Sequence, residues 1–288
     1  MREAIISFPA LGLELNPPAG FELFGRTIYL YGIMAALGFL LGMVYCTRRA
    51  PKFGLKDDHI YDVILWALPM AIIGARAYYV IFNFDLYRGR PFMDMIAIWE
   101  GGLAIYGGII AAVITLLIVC KVKKLPAGAV LDVGVFGLMI GQICGRWGNF
   151  FNREAFGAET ELFTRMGLTT PKGTIYVHPT FLYESLWNLL GIILLHIYVS
   201  KGKRRYDGEV FNLYVIWYGI GRAMIEGLRA DSLYIGSTGI RVSQLLAAVS
   251  AVIALCVLVY MRKKPHTLHV DRIAEAAETN VTEQEAID

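Results

Sequence analysis

The 288-residue sequence holds only 4 cysteines, Cys46, Cys120, Cys144 and Cys256, with no C-x-x-C pair and no histidine spaced to complete a zinc site. Each falls inside or at the end of an apolar stretch, so they read as inert packing residues rather than ligands or a redox pair. The chain also lacks a G-x-S-x-G elbow, an H-E-x-x-H helix, a phosphate-binding P-loop and an aspartate cluster of the kind that holds magnesium. Serine hydrolysis and metal-dependent phosphoryl chemistry both lose support. Charge is scarce as well: 18% of residues are charged and 56% hydrophobic, against about 25% and 45–50% in a soluble domain. The net charge of +3 comes without any basic stretch interleaved with exposed aromatics, so nucleic acid is not an expected partner. Met1–Phe21 shows no basic segment followed by an uninterrupted apolar core, and Pro9, Pro17 and Pro18 break it, so no cleavable signal peptide is expected.

What the chain has instead is apolar residues in runs of about 18–23, long enough to cross ~30 Å of hydrocarbon as helices. Seven runs are expected, near Phe24–Tyr45, Ile60–Phe82, Ile98–Cys120, Ala127–Trp147, Thr180–Val199, Val210–Leu228 and Ile240–Met261. An open sheet cannot satisfy its backbone in lipid, so the expected fold is an all-α polytopic membrane protein of about seven transmembrane helices. Residues 1–265 would form a single transmembrane catalytic domain and 266–288 a mobile acidic tail, too poor in apolar residues to bury a core.

Alternate loops differ in basic content. Arg48, Arg49, Lys52 and Lys56, then Lys121, Lys123 and Lys124, then Lys201, Lys203, Arg204 and Arg205, then Arg262, Lys263 and Lys264 mark one side as cytoplasmic. The N-terminus then lies outside and the C-terminus inside. The longest connection, about 148–179 between the fourth and fifth helices, becomes a small extracytoplasmic segment.

Charge at membrane depth costs a few kcal/mol unless it is paired or faces water, which makes Arg76, Arg146, Arg222 and Arg229 informative. The densest cluster is Gly145-Arg146-Trp147-Gly148-Asn149-Phe150-Phe151-Asn152-Arg153-Glu154-Ala155-Phe156-Gly157. If the helix continues, Arg146, Asn149 and Arg153 share one face, and guanidinium forks suit a phosphate better than lysine does. In the sixth run Tyr218, Arg222, Glu226 and Arg229 stack along one stripe, a ladder that is either self-neutralising structure or function. His178-Pro179-Thr180-Phe181-Leu182-Tyr183-Glu184 reads as a helix entrance with proline in the first turn. His178 there is either a cap or a catalyst, and Tyr183 and Glu184 are equally open. Gly38 and Gly42, and Gly137, Gly141 and Gly145, have the four-residue spacing that lets helices approach closely. Glu100, Gly101 and Gly102 at one end of the third run, with Tyr106, Gly107 and Gly108, predict a broken or tightly packed helix.

The run G-R-x-G-N-F-x-N-x-E-x-x-G resembles the signature of the prolipoprotein diacylglyceryl transferase family. H-P-T-x-L-Y-E at His178–Glu184, Tyr31-Gly32, the glycine pairs at 101–102 and 107–108, and Arg222 with Glu226 extend the resemblance over most of the chain in family order. It implies a bacterial inner-membrane enzyme that moves the diacylglyceryl group of phosphatidylglycerol to the lipobox cysteine of a prolipoprotein signal peptide, releasing glycerol 1-phosphate, with no cofactor and no metal. It also implies roles in lipid binding or catalysis for Tyr31, Arg146, Asn149, Glu154, Gly157 and Arg222. Many relatives carry histidine where this chain has Tyr106, and Phe181 stands where glutamine is frequent.

The substrate thiol is the nucleophile on this reading, which fits the missing Ser and Cys motifs. Arg146 and Arg222 are expected to clamp the phosphate while Asn149 and Asn152 orient it. Arg76, Gly157, Glu226 and Arg229 complete the expected substrate-binding set, and Glu154, His178 and Tyr106 are candidate bases in that order. The rival reading is a lipid or anion transporter with an arginine-lined site, against which the lack of an inverted repeat counts. A metal-dependent headgroup transferase is a weaker third.

Overall fold

The computed structural model describes residues 4–229 and 241–287, with side chains described as far as Asn280. In chain order the elements are β1 (Ile5–Phe8), β2 (Leu13–Leu15), β3 (Gly20–Leu23), β4 (Arg26–Tyr29), α1 (Leu30–Arg49), α2 (Asp57–Phe82), α3 (Phe92–Ile96), α4 (Ile105–Val122), α5 (Ala127–Asn152), β5 (Met166–Thr170), β6 (Gly173–Val177), α6 (Thr180–Ser200), α7 (Glu209–Glu226), α8 (Val242–Arg262) and α9 (His269–Ile287). Six of the helices, α1, α2, α4, α5, α6 and α8, are long and apolar enough to cross a membrane. The sixth expected run folds as α7, whose 18 residues carry Glu209, Arg222 and Glu226. Leu65, Ile73, Ile81 and Val252 are exposed on their helices, as side chains facing lipid must be.

The fold is mostly helical but not all-α. Strands β2, β1, β5 and β6 form an antiparallel sheet, and β3 and β4 pair as a separate hairpin. The first apolar run therefore does not begin its helix at Phe24. Phe24 and Gly25 take positive φ values of 50° and 71°, the left-handed pair that a two-residue hairpin turn requires, and α1 starts only at Leu30. Ile6, Met166, Leu168 and Val177 of the larger sheet point into a core shared with Phe150 and Phe181, and the neighbours of Ile6 in β1 and of Val177 in β6 are more exposed. Each strand has 3–5 residues, too short to register against the apolar helical runs.

The described chain divides into two compact units, Met1–Cys46 with Asp132–Thr267, and Thr47–Leu131 with Leu268–Asp288. In the second unit α2 packs on α4 through glycine. A Cβ on Gly107 would fall 2.3 Å from the Gly74 carbonyl oxygen, so neither helix tolerates a side chain at that crossing. The third run breaks where glycine predicted it: Gly101 and Gly102 adopt φ of 86° and 72°, and helix resumes at Ile105. The acidic tail forms α9, and its start is packed on Gly54 through His269 and Val270. A composition too polar to bury a core is still rich in alanine and glutamate, both strong helix formers.

In the first unit α1 crosses α5 by the same glycine device. A Cβ on Gly42 would lie 2.9 Å from the Gly137 oxygen and 3.0 Å from its Cα, whereas one on Gly141 would meet nothing within 4 Å. Gly42→Leu should lower the unfolding temperature of the detergent-purified protein by the equivalent of ~1–3 kcal/mol, and Gly141→Ala should leave it unchanged. Equal effects from the two substitutions would refute a backbone-contact crossing.

Candidate functional site

The site begins where α5 ends. Helix continues through Asn152, so Arg146 and Asn149 share a face and the Arg146 Nη1 donates to Asn149 Oδ1 at 3.1 Å. Asn149 Nδ2 and Asn152 Nδ2 both donate to Glu154 Oε1, at 2.9 and 3.2 Å. Arg153 does not join that face. It stands at φ 50°, just past the helix, and is turned inward: Nε donates to Ala4 O, Nη1 to Phe151 O, and Nη2 to Asn16 Oδ1 and Pro17 O. Burial pushes its pKa down from the ordinary arginine value. Three of these four acceptors flank the first N-terminal strands, Ala4 before β1 and Asn16 and Pro17 after β2, so Arg153 ties the N-terminal segment to the end of α5.

Beyond Glu154 the chain runs as a thread between two others. Gly157 N donates to His178 O at 2.9 Å, His178 N to Ala158 O at 3.1 Å, and Ala158 N to Leu228 O at 2.7 Å. The loop after α5 is thereby laced to the entrance of α6 on one side and the exit of α7 on the other. Only glycine fits this crossing. A Cβ on Gly157 would lie 2.6 Å from His178 Cβ and 2.7 Å from Leu228 O.

The lacing delivers carboxylates and guanidiniums from α5, α6 and α7 to one place, centred on Glu184. Its Oε2 lies 2.5 Å from Arg146 Nη2, and its Oε1 lies 3.5 Å from Arg222 Nη1 and 3.9 Å from Arg229 Nη1. Arg222 Nη2 also reaches Glu226 Oε2 at 2.7 Å. Arg222, Arg229, Glu184 and Glu226 are each at most 15% exposed at the side chain and Arg146 23%. Among the described residues three guanidiniums are gathered here on Glu184 and Glu226, in a setting where charge interactions are far stronger than in water. Glu154, exposed, continues the network outward through the two asparagines.

Of the residues singled out in the sequence, Arg146, Asn149, Asn152, Glu154, Arg222, Glu226 and Arg229 thus lie in one hydrogen-bonded and ion-paired network, with Gly157 in the lacing beside it. Tyr31 packs its ring on Gly148, where a Cβ would approach Tyr31 Cδ2 to 2.7 Å. His178 is buried, its ring 6.1 Å from that of Tyr183, and its Nδ1 has no hydrogen-bond partner among the described residues. Arg76 and Tyr106 belong to the second unit. The Arg76 guanidinium donates to the carbonyls of Asp94, Met95, Gly101 and Gly102, fixing the glycine loop that leads into α4, whose first turn carries the exposed Tyr106. Glu184 was left open by the sequence; the signal for it was a carboxylate five residues after Pro179, on the apolar helix that follows.

Gly157→Ala should cost ~1–3 kcal/mol of stability and reduce activity with it, read from thermal unfolding beside turnover; a fully stable, fully active variant would rule out the crossing described. Burial holds the His178 imidazole below its ordinary pKa, so the folded protein resists a proton there that the unfolded chain accepts near pH ~6.5. Its contribution is whole above that pH and is lost as pH falls from there toward the lowered folded value. His178→Asn should flatten that part of the stability–pH curve.

The family model of prolipoprotein diacylglyceryl transferase matches residues 18–260. A phosphatidylglycerol–prolipoprotein diacylglyceryl transferase of Finegoldia magna is 47% identical over 244 residues, 85% of this chain and 95% of that protein. One of Limosilactobacillus reuteri is 43% identical over 258 residues, 87% and 92% of the two chains, and one of Bacillus velezensis 40% identical over 261 residues, 88% and 94%. With the match covering the helices that carry the Glu184 network, the chain belongs to the prolipoprotein diacylglyceryl transferase family.

Proposed function

We propose that this enzyme transfers the diacylglyceryl group of phosphatidylglycerol to the thiol of a prolipoprotein's lipobox cysteine, and that the arginines gathered on Glu184 hold the lipid phosphate. The observation that carries the reading is the convergence of Arg146, Arg222 and Arg229 on the single carboxylate of Glu184, which gathers in one place the guanidinium forks that best match a phosphate. In the reaction the cysteine sulfur bonds to the glycerol carbon, the bond from that carbon to the phosphate ester oxygen breaks, and glycerol 1-phosphate leaves with the electron pair. The thiol proton goes to a base.

Charge on the leaving phosphate rises as the C–O bond lengthens, so cations already in position stabilise the transition state more than the bound lipid. Arg146 and Arg222 are assigned that role, with Arg229 beside them and Asn149 holding the Arg146 guanidinium in line. Glu184 sets the spacing of the three. Glu154 is assigned as the base: it is exposed, where a thiol from outside can reach it, and it takes its hydrogen bonds from neutral amides rather than from a guanidinium. The scheme uses only residues of the first unit. The expected topology accompanies it: seven spans counting α7, the N-terminus and the segment of about 148–179 outside the cytoplasmic membrane, and the C-terminus inside.

Arg146→Ala should lower transfer by ~10²–10³-fold or more with normal expression, read by the mass of a lipobox peptide incubated with the purified protein and phosphatidylglycerol. Near-normal turnover would overturn the phosphate assignment. Lipid or anion counter-flux without a covalent product would identify a transporter instead.

A further inference from the structure

One helical turn from the charged network lies a second, uncharged layer. Gln142 precedes Arg146 by four residues on α5, Asn188 follows Glu184 by four on α6, and Tyr218 precedes Arg222 by four on α7. Contacts on either side fix these positions at one level. Arg146 meets Glu184 above, and below, a Cβ on Gly191 would touch both Met139 of α5 and Trp217 of α7. Gln142 and Asn188 therefore face the same depth between antiparallel helices. Asn188 sits on the buried stripe of α6 with Glu184, Ser185, Gly191 and Ile192, and Gln142 Nε2 donates to the Tyr214 hydroxyl at 2.8 Å across to α7. The Tyr214 and Tyr218 rings are 5.8 Å apart.

Two amide oxygens of this layer, Gln142 Oε1 and Asn188 Oδ1, are buried with no hydrogen-bond partner among the described residues, and Asn188 is only 4% exposed. Buried polar atoms are nearly always satisfied, and leaving one unmade costs more than the bond is worth. A ligand bearing hydroxyls would satisfy both. Hydroxyls suit amides in either orientation, since each both donates and accepts.

We propose that Gln142 and Asn188 form the subsite that reads the glycerol hydroxyls of the phosphatidylglycerol headgroup, one turn from the arginines that hold its phosphate. The inference rests on the transferase reading above. The offset between layers is ~5.4 Å, within the span of three carbons from a phosphate oxygen. Among the described residues the layer carries no carboxylate, so a headgroup ending in an ammonium would bury a charge with no acid at its own level. A headgroup without hydroxyls would leave the two amides unpaired, and sites built to pair a hydroxyl discriminate strongly against its absence.

The test uses the full-length protein in detergent, a lipobox peptide and three donors: phosphatidylglycerol, phosphatidylpropanol, which keeps the three carbons without hydroxyls, and phosphatidylethanolamine. The wild type should use phosphatidylpropanol at ~10–100-fold lower kcat/KM than phosphatidylglycerol, a comparison needing no variant. Asn188→Leu and Gln142→Met should narrow that gap by slowing phosphatidylglycerol alone, and Asn188→Ser, which restores a hydroxyl-binding group, should recover part of it. Equal use of the two lipids by the wild type overturns the subsite, as does a loss in the variants that is proportional for both lipids, the mark of a structural role. Absence of product from every donor in the wild type would overturn the transferase reading and the subsite together.

Discussion

Three guanidiniums cannot be gathered in a low-dielectric interior unless an anion sits among them, and in this protein the anion is Glu184. Its two oxygens divide the work, one on Arg146 of α5 and the other between Arg222 and Arg229 at the end of α7. The ion pairs do not bring the helices together. Their net contribution is small once desolvation is counted, whereas removing the carboxylate would leave three cations facing one another. The approach of α6 to α7 is made by close packing. Trp187 and Trp217 stack with centroids 4.2 Å apart, and each indole N–H donates to the other's backbone carbonyl at 3.1 Å. Gly191 and Gly221 leave the space that the two rings occupy.

Helix α7 is held as firmly at its other end. Asp132 of α5, wholly buried, accepts from the backbone N–H groups of Gly208 and Phe211 at 2.9 Å each, an N-terminal cap supplied by a neighbouring helix rather than by the residue before it. Glu209 in the first turn accepts from the backbone of Arg205 and from Arg262 of α8 at 2.6 Å. Arg204 and Arg262, which the loop-charge argument reads only as orientation signals, are therefore also partners of buried acids. With both ends fixed, the level of Arg222 against Glu184 is set by the helix as a rigid rod, and small errors of registry are not left to the ion pairs to correct.

How much of this was legible in the sequence depends on the range over which each feature acts. Arg146 and Asn149 are three apart on one helix, so their pairing follows from helix periodicity, and the apolar runs mark the long helices, although the first and third start later than expected, at Leu30 rather than Phe24 and at Ile105 rather than Ile98. Glu184 was written in the sequence as a carboxylate in an apolar helix, but nothing local says which cation it meets, because its partners are 38 and more residues away. Arg153 misled for the same reason: its place on the Arg146 face assumed that helix continues, and the left-handed turn at 153 sends it to the N-terminal segment, 149 residues from Ala4. Strands of 3–5 residues carry too little periodicity to be seen, and β1 and β5 pair across such a distance. Arg76 was legible as a charge at depth, but its acceptors are backbone carbonyls, which no side-chain pattern reveals.

The electrostatic balance of the network bears on how a single site can both hold a lipid and act on it. On the proposed assignment, a phosphodiester held by Arg146 and Arg222 meets guanidiniums that already share their hydrogen bonds with Glu184 and Glu226. As the ester oxygen takes up charge, Glu184 cannot follow, since it is fixed between three donors from three segments. On that assignment the guanidiniums shared with it shift the weight of their hydrogen bonds toward the departing phosphate. An arginine paired exclusively and ideally to a carboxylate would resist that exchange. On the same proposed assignment, the 3.5 and 3.9 Å separations on Glu184 Oε1, longer than an ideal charge-assisted hydrogen bond, make that oxygen the looser side of the contact, where a guanidinium can turn toward a departing phosphate as differential stabilisation of a transition state requires.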